Sequence, residues 1–144
     1  MRVWDIPVTY LCDKHLLAQH VEIHTIYNVI SQDKKGYSKH PETLRWVDRL
    51  PELKLMHSFT VYEMKRRNYN HKSPIDDQLS EDLSSMRFGA VDPIWRQIHN
   101  IYRKGCKCNL EDMYTWYDLI GKNCESEAQV EGSIEDLRFL IEEN

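Results

Sequence analysis

Nothing in this sequence approaches the roughly 18 to 20 consecutive apolar residues that a bilayer-spanning helix needs, and the opening Met1–Asp5 is not the basic prelude of a secretory leader. A cytoplasmic protein without a membrane partner is therefore expected. Cysteine is scarce as well. Cys12, Cys106, Cys108 and Cys124 are four in 144 residues, too few for a disulfide scaffold, and a reducing compartment keeps them as thiols. Glycine and proline number five each, which excludes a collagen-like repeat and argues against a disordered chain. The sequence has no internal repeat, no low-complexity segment and no convincing strand run.

What is present reads as all-α, with two long helices and several shorter ones in a single compact domain over residues 1–144. Leu16, Ile23, Ile26, Tyr27 and Ile30 recur at helical spacing after Pro7, which predicts a helix from Thr9 or Asp13 to Ile30. Lys34-Lys35-Gly36-Tyr37-Ser38 breaks that pattern and predicts a basic loop over Gln32–Pro41, before a short helix from Pro41 or Glu42 to Arg49. Pro51 suits the first turn of a second long helix, which Leu53, Met56, Phe59, Val61 and Met64 carry to about Arg67. Asn70–Gln78 reads as a loop. Shorter helices fit Pro93–Arg103, Leu110–Ile120 and Ile134–Glu142, with Gly105 and Gly121 as stops.

The net charge of −4 hides a polarity along the chain: residues 1–72 carry 12 Lys/Arg against 8 Asp/Glu, and residues 73–144 carry 7 against 15. A basic first half is compatible with a DNA-binding face, while the acidic part from 109 to 144 is ordinary solvated surface. Lys34, Lys35, Lys39, Arg45 and Arg49, with Lys65, Arg66, Arg67 and Lys72, surround Tyr37, Trp46 and Tyr69. Cations hold phosphates and aromatic rings stack on unpaired bases, so the mixture fits a nucleic-acid groove; Trp46 equally suits the core.

On the first long helix His15 and Glu22 are seven residues apart, about 20° around the axis, and could meet one substrate. Ala18, Ile26 and Val29 flank that stripe, so Glu22 is a candidate general acid/base whose pKa partial desolvation would raise. A helix glutamate is also commonly a solvated or ion-paired surface residue. His20 and His24, at i and i+4, could share a metal ion, but Glu22 lies about 160° to 200° from both, and the order is not the H-E-x-x-H of zinc hydrolases. Hydrogen-bonded histidines are the simpler reading, and no metal or cofactor is expected. The pair Cys106 and Cys108 fits a structural turn better than a metal or redox site, because two cysteines lack further ligands.

Taken together, Met1-Arg2-Val3-Trp4-Asp5-Ile6-Pro7, His15-Leu16-Leu17-Ala18-Gln19-His20-Val21-Glu22-Ile23-His24, Lys34 to Thr43, Arg45-Trp46 and Glu63 to Pro74 resemble the pyrimidine-dimer DNA glycosylase and AP lyase family, which includes the phage repair enzyme often called endonuclease V. Lys104-Gly105-Cys106-Lys107-Cys108 resembles bacterial-type members. The resemblance is strongest over residues 1–76 and patchy afterwards. It implies an all-α fold, damaged double-stranded DNA as the partner, and a chain α-amine that attacks C1′ of the damaged nucleotide to form an imine. The family's catalytic glutamate falls on Glu22, its N-terminal arginine on Arg2 and its helix histidine on His15. Arg2 is too bulky for ordinary methionine removal, so Met1 itself is expected to carry the amine, which preserves the family's amine-to-glutamate spacing.

An α-amine has an ordinary pKa near 8 and is appreciably neutral at physiological pH, so it needs little activation as a nucleophile. Two departures bear on substrate choice. The arginines that flank the phage enzyme's glutamate are replaced here by Val21 and Thr25, and the aromatic Thr115-Trp116-Tyr117 is followed by a long acidic extension. The lesion therefore stays open among a thymine dimer, a ring-opened purine and an abasic site. Two other readings stand beside this one: a metal-dependent or diverged enzyme using His20 and His24, and a non-catalytic DNA- or protein-binding module.

Overall fold

The computed structural model describes residues 2–75 and 89–124, which form five α-helices and two short 3-10 turns, with no strand among the described residues. The all-α expectation holds. No described helix is long and apolar enough to cross a membrane. The expected helix Ile134–Glu142 lies outside the described residues, as does Met1.

Helix α1 spans Asp13–Ser31 and buries Leu16, Gln19, Ile23, Ile26 and Val29, the i, i+3, i+7 seam that its apolar pattern dictates. It closes in a Schellman motif without glycine: the Asp33 amide reaches the Ile30 carbonyl, the Lys34 amide reaches Val29, and Asp33 sits at φ 49°. Helix α3, Leu50–Arg66, ends the same way on Asn68 at φ 67°, with the Tyr69 amide on the Met64 carbonyl. Aspartate and asparagine tolerate this left-handed conformation better than other side chains do. Between them, α2 runs only from Pro41 to Trp46, shorter than the expected reach to Arg49. Its start is fixed by Pro41 and by the His40 ring, whose Nδ1 accepts from the Glu42 amide at 3.1 Å.

In the second half, α4 covers Ile94–Arg103 and α5 Leu110–Leu119, close to expectation. Gly105 follows α4 at φ 63°, as a stop residue should. Gly121 terminates α5 for a different reason. A Cβ on it would come within 2.8 Å of the Trp116 ring, so the constraint is packing rather than backbone sign.

The chain divides into two compact units, Met1–Val3 with Asp13–Val91, and Trp4–Cys12 with Asp92–Asn144. The first is built around Val3, Ile23, Ile26, Trp46, Leu53 and Met56, with Tyr27, Ile30 and Leu50 packed against them. A buried polar tie joins its two long helices: Gln19 Nε2 donates to Thr60 Oγ1 at 3.1 Å, and the Thr60 hydroxyl donates to the Met56 carbonyl at 2.7 Å. In the second unit, Ile94, Ile98 and Ile101 present one buried face of α4, and Met113 and Tyr117 one of α5. There Gln97 holds Asp5 by accepting from its amide at 2.9 Å and donating to its carboxylate at 3.0 Å.

Candidate functional site

Val3, near the N-terminus, is gripped by a short helix. Its amide donates to Glu42 Oε1 at 2.9 Å, and its carbonyl accepts from Arg45 Nη1 at 3.1 Å. The same Arg45 nitrogen reaches Glu42 Oε1 at 3.0 Å, so an ion pair closes the clamp. Glu42 and Arg45 are 4% and 6% exposed, and the Arg45 guanidinium lies 4.2 Å over the Trp46 ring. A buried pair that spends its hydrogen bonds on main-chain groups fixes the position of Val3. Arg45, expected among the DNA-binding cations, is thus turned inward to Val3 and Glu42. Arg2, one residue before the clamped position, is half-buried.

His15 and Glu22 are both half-buried on α1. Of the neighbours that would desolvate Glu22, Ile26 and Val29 are buried and Ala18 is exposed. One to two turns further along the same side of α1, Thr25, Asn28 and Val29 meet Lys34, Gly36 and Tyr37 around an open cavity of about 310 Å³. On an ideal helix Thr25 and Val29 are offset from Glu22 by about 60° and 20°.

Tyr37 makes the wall of this cavity with its ring 65% exposed and its backbone at φ 61°, a left-handed conformation uncommon for a tyrosine. Such a conformation costs on the order of 1 kcal/mol or more and persists where the surroundings enforce it. Here the enforcing contacts are a turn in which the Ser38 amide and hydroxyl both reach the Lys35 carbonyl and the His40 amide reaches the Tyr37 carbonyl. Lys34, Lys35 and Lys39 are exposed on the same loop.

Arg66 and Arg67 behave differently from these lysines. Both are bound to buried Glu63, Arg66 through two bonds of 2.9 and 2.7 Å and Arg67 through one of 2.9 Å. Arg67 also reaches Asp13, tying the end of α3 to the start of α1. The hydrogen bond from Arg66, helped by Arg67, holds the Glu63 carboxyl below the usual carboxylate range against the opposing effect of burial. Arg66 stays 57% exposed and keeps a face toward solvent.

His20 and His24 meet two residues that the sequence did not flag. His57 on α3 and His71 on the segment after it complete a group of four imidazoles whose ligand-capable nitrogens lie within 4.8 Å of one another. Burial and the three neighbouring rings push His20 down to about 4, and burial also lowers His24. The i, i+4 spacing was the only local signal; His57 and His71 join through tertiary structure.

In the second unit Cys12, Cys106 and Cys108 gather their sulfurs within 4.8 Å as thiols. Burial pushes the Cys108 thiol well up, and its Sγ accepts from the Cys12 amide at 3.1 Å, while Cys106 contacts the Ile101 carbonyl at 3.8 Å. The expectation that Cys106 and Cys108 have no further ligand beside them is corrected, because tertiary structure brings the Cys12 sulfur to the pair.

Residues 1–77 match the family model described as pyrimidine dimer DNA glycosylase. No curated protein and no solved structure matches the chain.

Proposed function

The chain belongs to the pyrimidine dimer DNA glycosylase family, and from that premise we propose that it is a bifunctional glycosylase and AP lyase whose nucleophile is the α-amine of Met1. The observation that carries this reading is the Glu42–Arg45 clamp on Val3, two residues from that amine. Two residues of extended chain reach at most about 7 Å, so a fixed Val3 confines the amine to a small volume. Confinement of this kind turns an encounter into an effectively unimolecular attack.

In the proposed reaction the amine lone pair forms a bond to C1′ as the C1′–N glycosidic bond breaks and its electron pair leaves with the base. Loss of the amine proton and opening of the sugar ring give the imine. Removal of a C2′ proton then expels the 3′ phosphate oxygen and cuts the strand. Glu22 shuttles the protons of these steps, with His15 and Arg2 beside the reacting sugar and its phosphate. No cofactor is needed for this sequence. Lys34, Lys35 and Lys39 would hold the DNA backbone and Tyr37 would stack on an unpaired base, with Arg66 as a further phosphate contact. Arg45 contributes by positioning the terminus.

The test is incubation of untagged protein with duplexes that each carry one thymine dimer, ring-opened purine or abasic site. Cleavage of the dimer-bearing strand is expected, and Glu22→Gln should lower it by roughly 10²-fold with the fold unchanged. Near-normal turnover in Glu22→Gln would remove Glu22 from the mechanism, and intact dimer-bearing duplex with the wild type would defeat the substrate assignment.

A further inference from the structure

We infer that His20, His24, His57 and His71 form a closed tetrahedral site for one divalent transition ion, Zn²⁺ by preference, which fastens α1, α3 and the segment after α3 together. The site is distinct from the proposed amine chemistry. On an ideal helix His20 and His24 lie about 160° to 200° from Glu22, so the ion would sit on the other side of α1.

Two of the six nitrogen–nitrogen edges, in a group whose ligand atoms all lie within 4.8 Å of one another, have the length that an ion would set. His24 Nε2 lies 3.2 Å from His20 Nε2 and 3.2 Å from His57 Nε2. One ring nitrogen has a single proton or a single lone pair in the ring plane, and it cannot serve two neighbours in two directions with good geometry. Tetrahedral Zn²⁺ with Zn–N bonds of about 2.0 to 2.1 Å requires N···N edges of about 3.3 to 3.4 Å. A square-planar ion at similar bond length would require adjacent edges of about 2.8 Å, a poorer match.

Ring orientation agrees. The His20 and His24 planes cross at 72°, His24 and His57 at 83°, His20 and His71 at 84°, His57 and His71 at 63° and His20 and His57 at 34°, with centroids 4.6 to 5.4 Å apart. Rings that converge on one point from four directions turn their edges inward in this way, whereas a packed aromatic cluster has no reason to aim its nitrogens together. A carbonyl fixes one of the tautomers. The Ser73 oxygen can only accept, so the 2.9 Å contact from His71 Nε2 means that Nε2 carries the proton and Nδ1 the lone pair.

Four imidazoles without a carboxylate disfavour Mg²⁺ and Ca²⁺, which take oxygen ligands. Four protein ligands also leave no open position for water or substrate, so the ion's role is structural. It would fasten the segment carrying His71, whose Ile75 is buried in the same unit.

The test strips the full chain with a chelator and titrates it with Co²⁺ under reducing conditions. One equivalent should bind with the intense visible bands of a tetrahedral ion, without the near-ultraviolet thiolate bands that Cys12, Cys106 and Cys108 would give, and Zn²⁺ should displace it. His71→Ala removes a half-buried residue outside the helices and should fold like the parent by circular dichroism. It should weaken Co²⁺ binding by at least about 100-fold, as should His24→Asn, because losing a ligand costs more than losing its support. Cys106→Ser should leave the spectrum unchanged. A folded chain that takes up no stoichiometric ion, a spectrum that follows Cys106 rather than His71, or parental affinity in His71→Ala would each overturn the inference. If His24→Asn fails to fold, the His71→Ala titration decides.

Discussion

The clamp on Val3 makes a prediction that separates positioning from stability. Glu42→Gln keeps an oxygen for the Val3 amide but removes the charge opposite Arg45, and Arg45→Met removes the donor to the Val3 carbonyl and leaves Glu42 charged and buried. With both groups under a tenth exposed, breaking the pair from either side should cost about 3 to 5 kcal/mol of unfolding free energy. Arg45→Met adds the stacking on Trp46, about 0.5 to 1 kcal/mol. The double variant should be less destabilised than either single variant, because neither charge is then left uncompensated. Urea unfolding of all four proteins measures that coupling. The rate of imine trapping on abasic DNA, read at a temperature where each is folded, should fall by about 10²-fold in the double variant even though much of its stability has returned, since a displacement of about 1 Å at the nucleophile costs that much. A folded double variant that traps at the wild-type rate would refute the argument that the clamp places the amine.

Replacing Lys34, Lys35 and Lys39 with alanine should flatten the log–log salt dependence of DNA binding by roughly 0.9 per lost phosphate contact, and an unchanged slope in a filter or anisotropy assay would put the DNA elsewhere. Tyr37→Ala should weaken binding to DNA containing an unpaired base by about 1 to 3 kcal/mol while barely altering unfolding, because the ring is exposed. Glu63→Gln should lower stability at pH 7 by about 2 to 3 kcal/mol, since Arg66 and Arg67 lose a buried charged acceptor. Because Glu63 titrates lower in the folded chain than in the unfolded one, the unfolded state binds more protons between those two values and the stabilisation grows with pH. The gap between parent and Glu63→Gln should therefore be complete above pH of about 4.5 and close as pH falls through the lower folded value; a gap independent of pH would place its origin in packing.

Periodicity made the long helices legible. The seam of Leu16, Ile23 and Ile26 placed α1 within a few residues, and Pro51 with Leu53, Met56 and Met64 did the same for α3. The C-terminal ends were harder to see, because Asp33 and Asn68 adopt the left-handed stop conformation without a glycine to announce it. Local signals also exposed the stripe of His15 and Glu22 and the basic loop that forms the cavity wall at Lys34, Gly36 and Tyr37. What escaped was non-local. Arg45 has the appearance of one more surface cation until α2 brings it to the main chain of Val3, 42 residues earlier. His57 and His71 stand 33 and 47 residues from His24 in sequence, and no spacing rule on a single helix could have joined them to His20 and His24. A buried ion pair and a ligand cluster are both products of packing, so residue type alone reveals candidates but not partners.

If the terminal amine does the chemistry, the atom on which a trapped adduct forms reveals it. Borohydride added to tag-free protein on abasic DNA should reduce the imine to a stable secondary amine, and peptide mass analysis should place it on the α-amine of Met1. Acetylating that terminus should abolish trapping while the fold and Glu22 remain intact. An adduct on a lysine, or full trapping and cleavage by the acetylated protein, would contradict the account.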